Sequence, residues 1–412
     1  MRVALAALAV CLVLPVLVAP GDAVAAGDSA ATAVGSPGAY QAVSRVRALD
    51  TRKTGAIPAK ATAKVPVTGL GQVPATGVVA VSVNLTVLTP SGTGSVTAFA
   101  DGTSWSGATM TFQAGQTDQN FETVPVTATG LIDIRNNTAN SLNLIVDILG
   151  YYYPWGSPGR YQPMTPTRVL DTRTGQPVAA GQTRTFQVAG QGGIPPQGDF
   201  AHQVAVVANV TVLTPSRSGS LTVGETDLRV NTATMTFAAG QTEQGQLVNL
   251  LDDHGGLSVR NNSAAAVQLI ADVVGYYVEV NVTDPGTYQH FNVGGHDRVY
   301  DSRATGQGPV APGGTVTLPI QDLTFPDGGD SGICAPLLNV TMLSPSTGGS
   351  LSIWPDSVAW DGAATVTFVA QQTRQRMLMM KVGRNSGDVQ VRNNSSAPIT
   401  LIVDVDGWRT CV

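Results

Sequence analysis

The sequence predicts an all-β chain: three tandem antiparallel β-sandwich (jelly-roll-like) domains behind a signal peptide. A signature recurs three times, as Arg47-Ala48-Leu49-Asp50-Thr51-Arg52, Arg168-Val169-Leu170-Asp171-Thr172-Arg173 and Arg298-Val299-Tyr300-Asp301-Ser302-Arg303. Its aspartates stand 121 and 130 residues apart, a spacing of one ordinary domain per copy rather than of a short solenoid repeat. Charged residues make up 12% of the 412, a composition rich in Val, Thr, Ala and Gly that favours strands and turns over surface helices. Each copy also offers about seven to nine short segments with turn signals between them and no 3.6-residue period.

Residues 1–26 read as a signal peptide: Arg2, an apolar run from Val3 to Ala19, and small residues ending at Ala25-Ala26. Pro15 and Pro20 interrupt that run, so it is short for a membrane span, and no span is expected after cleavage. A flexible lead, 27–38, precedes repeat 1 (39–153), a linker (154–160), repeat 2 (161–278), a linker (279–287) and repeat 3 (288–412). The linkers are short and contain Pro or Gly, which suits either a semi-rigid string or a compact cluster.

Each repeat opens on Tyr-Gln (Tyr40, Tyr161, Tyr288) and proceeds through the signature to an alternating strand. Val81, Val83, Leu85 and Val87 fall on one face and Ser82, Asn84 and Thr86 on the other, a period of 2. Proline turns end this strand at Thr89-Pro90-Ser91, Thr214-Pro215-Ser216 and Ser344-Pro345-Ser346. Strands at Ala108–Phe112, Ala233–Phe237 and Ala364–Phe368 lead to Gln-Thr turns at Gln116, Gln241 and Gln372. Each unit closes with Arg-Asn-Asn (Arg135, Arg260, Arg392) and an apolar strand carrying Asp147, Asp272 or Asp404 before Gly150-Tyr151-Tyr152, Gly275-Tyr276-Tyr277 or Gly407-Trp408.

This order of motifs resembles the RxLDTR…NVT…RNN…DVVGYY module of uncharacterised secreted actinobacterial proteins, which occurs alone, in tandem or beside extracellular hydrolase domains. The resemblance covers essentially the whole mature chain and is closest in repeat 2. Repeat 3 departs from it at Tyr300, Ser302, Asp406 and Trp408. It implies export and a β-rich module, and it transfers no catalytic residue.

The recurrent charges are expected to form an internal lock rather than a ligand site: Arg47, Asp50 and Arg52 with Asp147; Arg168, Asp171 and Arg173 with Asp272; Arg298, Asp301 and Arg303 with Asp404. A half-buried guanidinium keeps its place only when its fork is satisfied. Ligand binding is assigned instead to the variable loop tips, where Trp105, Trp354 and Trp360 could stack on a sugar ring, the alternative being aromatic caps over the end of the core. Cys334 and Cys411 remain after signal removal and are expected to pair in an oxidising destination. Asn84, Asn209 and Asn339 match the glycosylation pattern but sit mid-strand, where cross-strand hydrogen bonding accounts for them better. Gly329-Asp330-Ser331-Gly332 looks like a serine-protease nucleophile segment without partner motifs, and the four histidines have no zinc spacing, so no catalytic residue, cofactor or metal is expected.

Net charge −5 and a pI near 5.3 argue against nucleic acid as a partner. The resulting expectation is a secreted, non-catalytic surface or matrix protein that binds glycan, cell-wall polymer or a surface protein, with weak sites gaining avidity from tandem display. The rivals are a hydrolase with an unrecognised site in repeat 3 and a purely structural spacer. Nothing in the sequence specifies an oligomeric state.

Overall fold

The computed structural model describes residues 39–104, 108–153, 159–196, 205–226, 233–279, 291–292, 297–304, 306–320, 333–360, 362, 364–383 and 387–410. Residues 1–38, with the expected signal peptide and lead, and most of both expected linkers lie outside them. The chain is all-β: among the described residues, helix is limited to the turns Thr51–Thr54 and Thr172–Thr174.

Repeat 1 comprises β1 (Ala39–Asp50), β2 (Thr62–Pro66), β3 (Ala80–Val87), β4 (Gly94–Ala100), β5 (Met110–Phe112), β6 (Asp118–Pro125), β7 (Leu131–Asn136) and β8 (Leu144–Tyr153). Repeat 2 comprises β9 (Gly159–Asp171), β10 (Thr183–Gln187), β11 (Ala205–Leu213), β12 (Gly219–Gly224), β13 (Met235–Phe237), β14 (Glu243–Leu250), β15 (Gly256–Asn261) and β16 (Gln268–Glu279). Repeat 3 comprises β17 (Phe291–Asn292), β18 (Asp297–Asp301), β19 (Thr315–Leu318), β20 (Ile333–Leu343), β21 (Gly349–Pro355), β22 (Val366–Phe368), β23 (Arg374–Met379), β24 (Val389–Asn393) and β25 (Thr400–Thr410).

In every repeat the chain passes back and forth between two antiparallel sheets. Repeat 1 has an inner sheet ordered β1-β8-β3-β6 and an outer sheet ordered β2-β7-β4-β5. Repeats 2 and 3 reproduce both orders, and pairing of Tyr40 with Gly159 joins the first two inner sheets edge to edge. The described strands thus form five sheets, an eight-stranded and a five-stranded inner one and three four-stranded outer ones, so the expected three separate sandwiches are joined into one body. Gly159 and Arg160, placed in a linker by the sequence, already belong to β9 opposite Glu279 and Val278.

The alternation in β3 explains the first core: Val81, Val83, Leu85 and Val87 meet Val96 and Ala98 of β4 and Ile132 and Ile134 of β7. The polar face of β3 is buried too. The reason is a further core in which the inner sheets of all three repeats meet, with Tyr40, Phe121 and Tyr152 from repeat 1, Tyr161, Val248 and Tyr277 from repeat 2, and Leu337, Met377 and Met379 from repeat 3. The repeats therefore form a cluster and not a string.

Directional contacts close this cluster into a cycle. The Gln119 amide donates to the Thr234 carbonyl of repeat 2, Gln244 donates to Ala364 of repeat 3 at 2.9 Å, and Gln375 donates to Ala108 of repeat 1 at 2.5 Å. One residue before each glutamine stands a buried charge: Asp118, Glu243 or Arg374. Arg374 Nη1 donates to Glu243 at 2.7 Å, and Arg376 Nη2 reaches Asp118 at 3.0 Å and Glu243 at 2.8 Å. Two carboxylates and two guanidiniums thus balance where the repeats meet. Burial opposes ionisation of Asp118, but Arg376 and Arg374 outweigh it and hold the carboxyl below its ordinary range.

Removing one member of a buried ion cluster leaves an uncompensated charge, which costs about 3–5 kcal/mol. Arg376→Met is therefore expected to lower unfolding stability by about that amount, measured by urea titration of the whole chain; a loss below about 1 kcal/mol would show that the quartet does not hold the repeats together.

Candidate functional site

The signature charges form the expected lock in all three repeats. Arg47 grips Asp147 through Nε and Nη2 at 2.9 and 3.1 Å and sends Nη1 to Asp50 at 3.3 Å. Arg52 closes a second fork on Asp50 at 2.8 and 2.6 Å. Arg168 repeats the grip on Asp272 at 2.8 and 3.2 Å and touches Asp171 at 3.2 Å, while Arg173 Nη2 meets Asp171 at 2.6 Å. Arg298 binds Asp404 at 2.8 and 3.3 Å and Asp301 at 3.2 Å, with Arg303 Nη2 2.6 Å from Asp301. Bidentate geometry of this kind is the strong form of the ion pair. The first aspartate ends a strand and turns the chain: Asp50 and Asp171 each accept the backbone N–H two residues on, capping the helical turns.

The hydroxyl inside the signature ties it to the closing strand. Thr51, Thr172 and Ser302 accept backbone N–H from Leu144, Leu269 and Leu401 at 2.7, 2.7 and 2.8 Å. Serine at 302 therefore keeps the bond, and the departure in repeat 3 is conservative. The Arg52 guanidinium hydrogen-bonded to Asp50 holds that carboxyl down at about 2, and Arg173 does the same for Asp171, also about 2. Arg303 likewise lowers Asp301.

Two motifs acquire roles that sequence reasoning had left unassigned. The first asparagine of Arg-Asn-Asn is a buried hub: Asn136 donates to the carbonyls of Ile57, Pro58 and Asn140 at 3.1, 3.0 and 2.7 Å, and accepts from Thr138. Asn261 and Asn393 do the same in their repeats. The glycine of Gly-Tyr-Tyr admits the opening tyrosine, since a Cβ on Gly150 would lie 2.3 Å from the Tyr40 hydroxyl and one on Gly275 would lie 2.2 Å from that of Tyr161. Arg409 was missed altogether. It occupies the register position of Tyr152 and Tyr277, opposite Ala335 as they are opposite Ala80 and Ala205. Fully buried, it donates to Tyr277 at 3.0 Å and Tyr152 at 3.4 Å and lies over the rings of Tyr152, Tyr161 and Tyr277. The signal was a basic residue where the other copies carry tyrosine.

Of the three candidate tryptophans, the structure brings two together. Trp354 projects from β21 and Trp360 from the loop after it, with ring centroids 6.1 Å apart and planes 26° from parallel. The Arg392 guanidinium of β24 lies 4.6 Å from the Trp360 ring centre. Trp360 and Val358 are the exposed large hydrophobic side chains among the described residues. The corresponding place on repeat 1 holds Phe99 beside Asp133, which Lys64 engages, and on repeat 2 Gly224 beside Ser258. Trp105 lies outside the described residues.

Asn84, Asn209 and Asn339 are buried, which leaves no room for a glycan. Asn209 accepts from Gln246 at 3.2 Å and Asn339 donates to Asp406 at 3.1 Å, so cross-strand bonding accounts for these two. Asp252 caps its own turn by accepting from the N–H of His254 and Gly256. The pairing of Cys334 with Cys411 and the Gly329–Gly332 segment fall outside the described residues, as do His202, His290 and His296. Among the described residues no group of three His, Cys, Asp or Glu could hold a metal, and no helix is long and apolar enough to cross a membrane.

No protein-family model and no curated protein matches the chain. Two solved structures align with it over 90% of each chain: one described as the triple jelly roll fold and turret assembly in an archaeal virus, at 13% identity, and one as the atomic structure of Sulfolobus turreted icosahedral virus, at 12%. Both TM-scores are 0.17, too low to carry an argument about fold or role.

The lock has a pH signature. An aspartate held at about 2 in the folded chain and titrating near 3.9 when unfolded stabilises fully above about pH 4, and that contribution vanishes as pH falls through about 2. The melting temperature is expected to drop across that window, and Asp171→Asn to lower it at pH 7 while flattening the acid limb. An Asp171→Asn melting temperature equal to that of the parent at pH 7 would contradict the lock.

Proposed function

We propose that the protein is a secreted, non-catalytic surface or matrix component that binds glycan or cell-wall polymer through the outer face of its third repeat. The observation that carries this reading is the stacked pair Trp354 and Trp360, offered at the surface beside Arg392. Stacked indoles present a flat apolar face of the size of a pyranose ring, and an aromatic exposed at a variable tip costs the core nothing. The signature charges support a non-catalytic role, because their guanidiniums end in carboxylates of their own repeat.

We further propose that each repeat is a jelly-roll-like sandwich. Its support is the strand order, first-eighth-third-sixth facing second-seventh-fourth-fifth, in which neighbours in sequence belong to opposite sheets; a propeller blade is built instead from consecutive strands.

Insoluble cell-wall material and polysaccharides are the substrates for the test. The parent chain is expected to sediment with at least one of them, and Trp354→Ala/Trp360→Ala to lose most of that retention at unchanged melting temperature. Equal retention would remove the aromatic platform from the account.

A further inference from the structure

We infer that the outer face of repeat 3 selects a pyranose bearing a carboxylate, its apolar ring face on Trp360 and its carboxylate on Arg392. This deepens the glycan-binding reading above and rests on it. In antiparallel register, side chains directly opposite each other share a face. One row across β19, β24 and β21 is Thr315, Arg392 and Ser352; the next is Thr317, Gln390 and Trp354. Val389 and Val391, which flank Gln390 on β24, are fully buried, so Gln390 and Arg392 project to the outside.

Arg392 supplies the charge. Its Nε is buried without a hydrogen-bond partner, and among the described residues its guanidinium is engaged by the Trp360 ring and by no carboxylate. That differs from the signature arginines of the same repeat, each of which is matched to an aspartate. A guanidinium desolvated against an aromatic face and left with unmatched donors is matched best by a planar carboxylate. Beside it, Gln390 spends one amide hydrogen on Thr317 at 2.9 Å, which leaves its carbonyl oxygen to accept from a sugar hydroxyl.

Repeats 1 and 2 carry the equivalent Arg135 and Arg260, but Phe99 and Gly224 stand where repeat 3 has Trp354.

The test is a calorimetric titration of the whole secreted chain with an aldobiuronic acid, one uronate linked to one neutral sugar, and with the matching neutral disaccharide. The parent is expected to bind the acidic sugar at least tenfold more tightly. Arg392→Gln should abolish that preference, Arg392→Lys should restore only part of it, and Trp360→Ala should weaken both sugars. Equal affinity of the parent for the two sugars overturns the carboxylate assignment and leaves the platform reading standing. Failure to bind either sugar overturns the inference, and retention on wall material then decides the broader reading separately. Melting curves of each variant exclude misfolding as the cause.

Discussion

Two guanidiniums from the third repeat, set against one carboxylate from each of the others, hold the position on which this molecule depends. Taking such ions out of water costs several kcal/mol apiece, and the cost is offset only when every member is present and well aligned. Among the described residues, Arg374 and Arg376 pair here with no carboxylate of their own repeat, and Asp118 and Glu243 with no cation of theirs. The hydrophobic centre formed by Tyr40, Tyr161, Leu337 and Met377 supplies non-directional burial. The ions add orientation: they fix which edge strand faces which, and the three glutamine-to-carbonyl bonds repeat that instruction around the cycle.

Polar residues thus fall into two sets with separate duties. Within a repeat, the arginine–aspartate lock joins the opening strand to the closing strand, and the asparagine hub gathers the loop carbonyls that β7, β15 and β24 would otherwise leave unsatisfied. Between repeats, charge and amide contacts set the order. The outer sheets carry neither duty on their exposed face. There the copies diverge, from a lysine–aspartate pair in the first to paired indoles in the third, which is where a scaffold of this kind can change its partner without changing its fold.

The alternation at Val81 to Val87 and the recurrence of the signature were enough to read strands, repeats and the Arg47–Asp147 pairing before any coordinates. What a single repeat's pattern could not convey is that the polar face of the same strand is also covered, because Ser82, Asn84 and Thr86 look like the residues of a half-exposed sheet. Burial of that face comes from partners more than a hundred residues away. The mark of it was nevertheless present after each Gln-Thr turn, where Asp118, Glu243 and Arg374 break an otherwise repeated pattern by sign of charge. Arg409 in place of a tyrosine was a second such mark. Both were legible only by comparing the copies position by position. Of the aromatic candidates, Trp354 and Trp360 are adjacent in space because the loop after β21 folds back, a geometry that periodicity does not encode.

The sign pattern acid, acid, base at one recurring position has a bearing on assembly. Identical modules with head-to-tail contacts close into rings from any mixture of chains, or run on as filaments when the rotation fails to close. Here two modules are anionic at the junction and one is cationic with a doubled arginine, so neutrality is reached by two acidic modules to one basic module. The chain therefore counts to three within itself: exchange of a module between neighbouring molecules preserves the balance only if like replaces like, and a fourth module has no charge left to answer it.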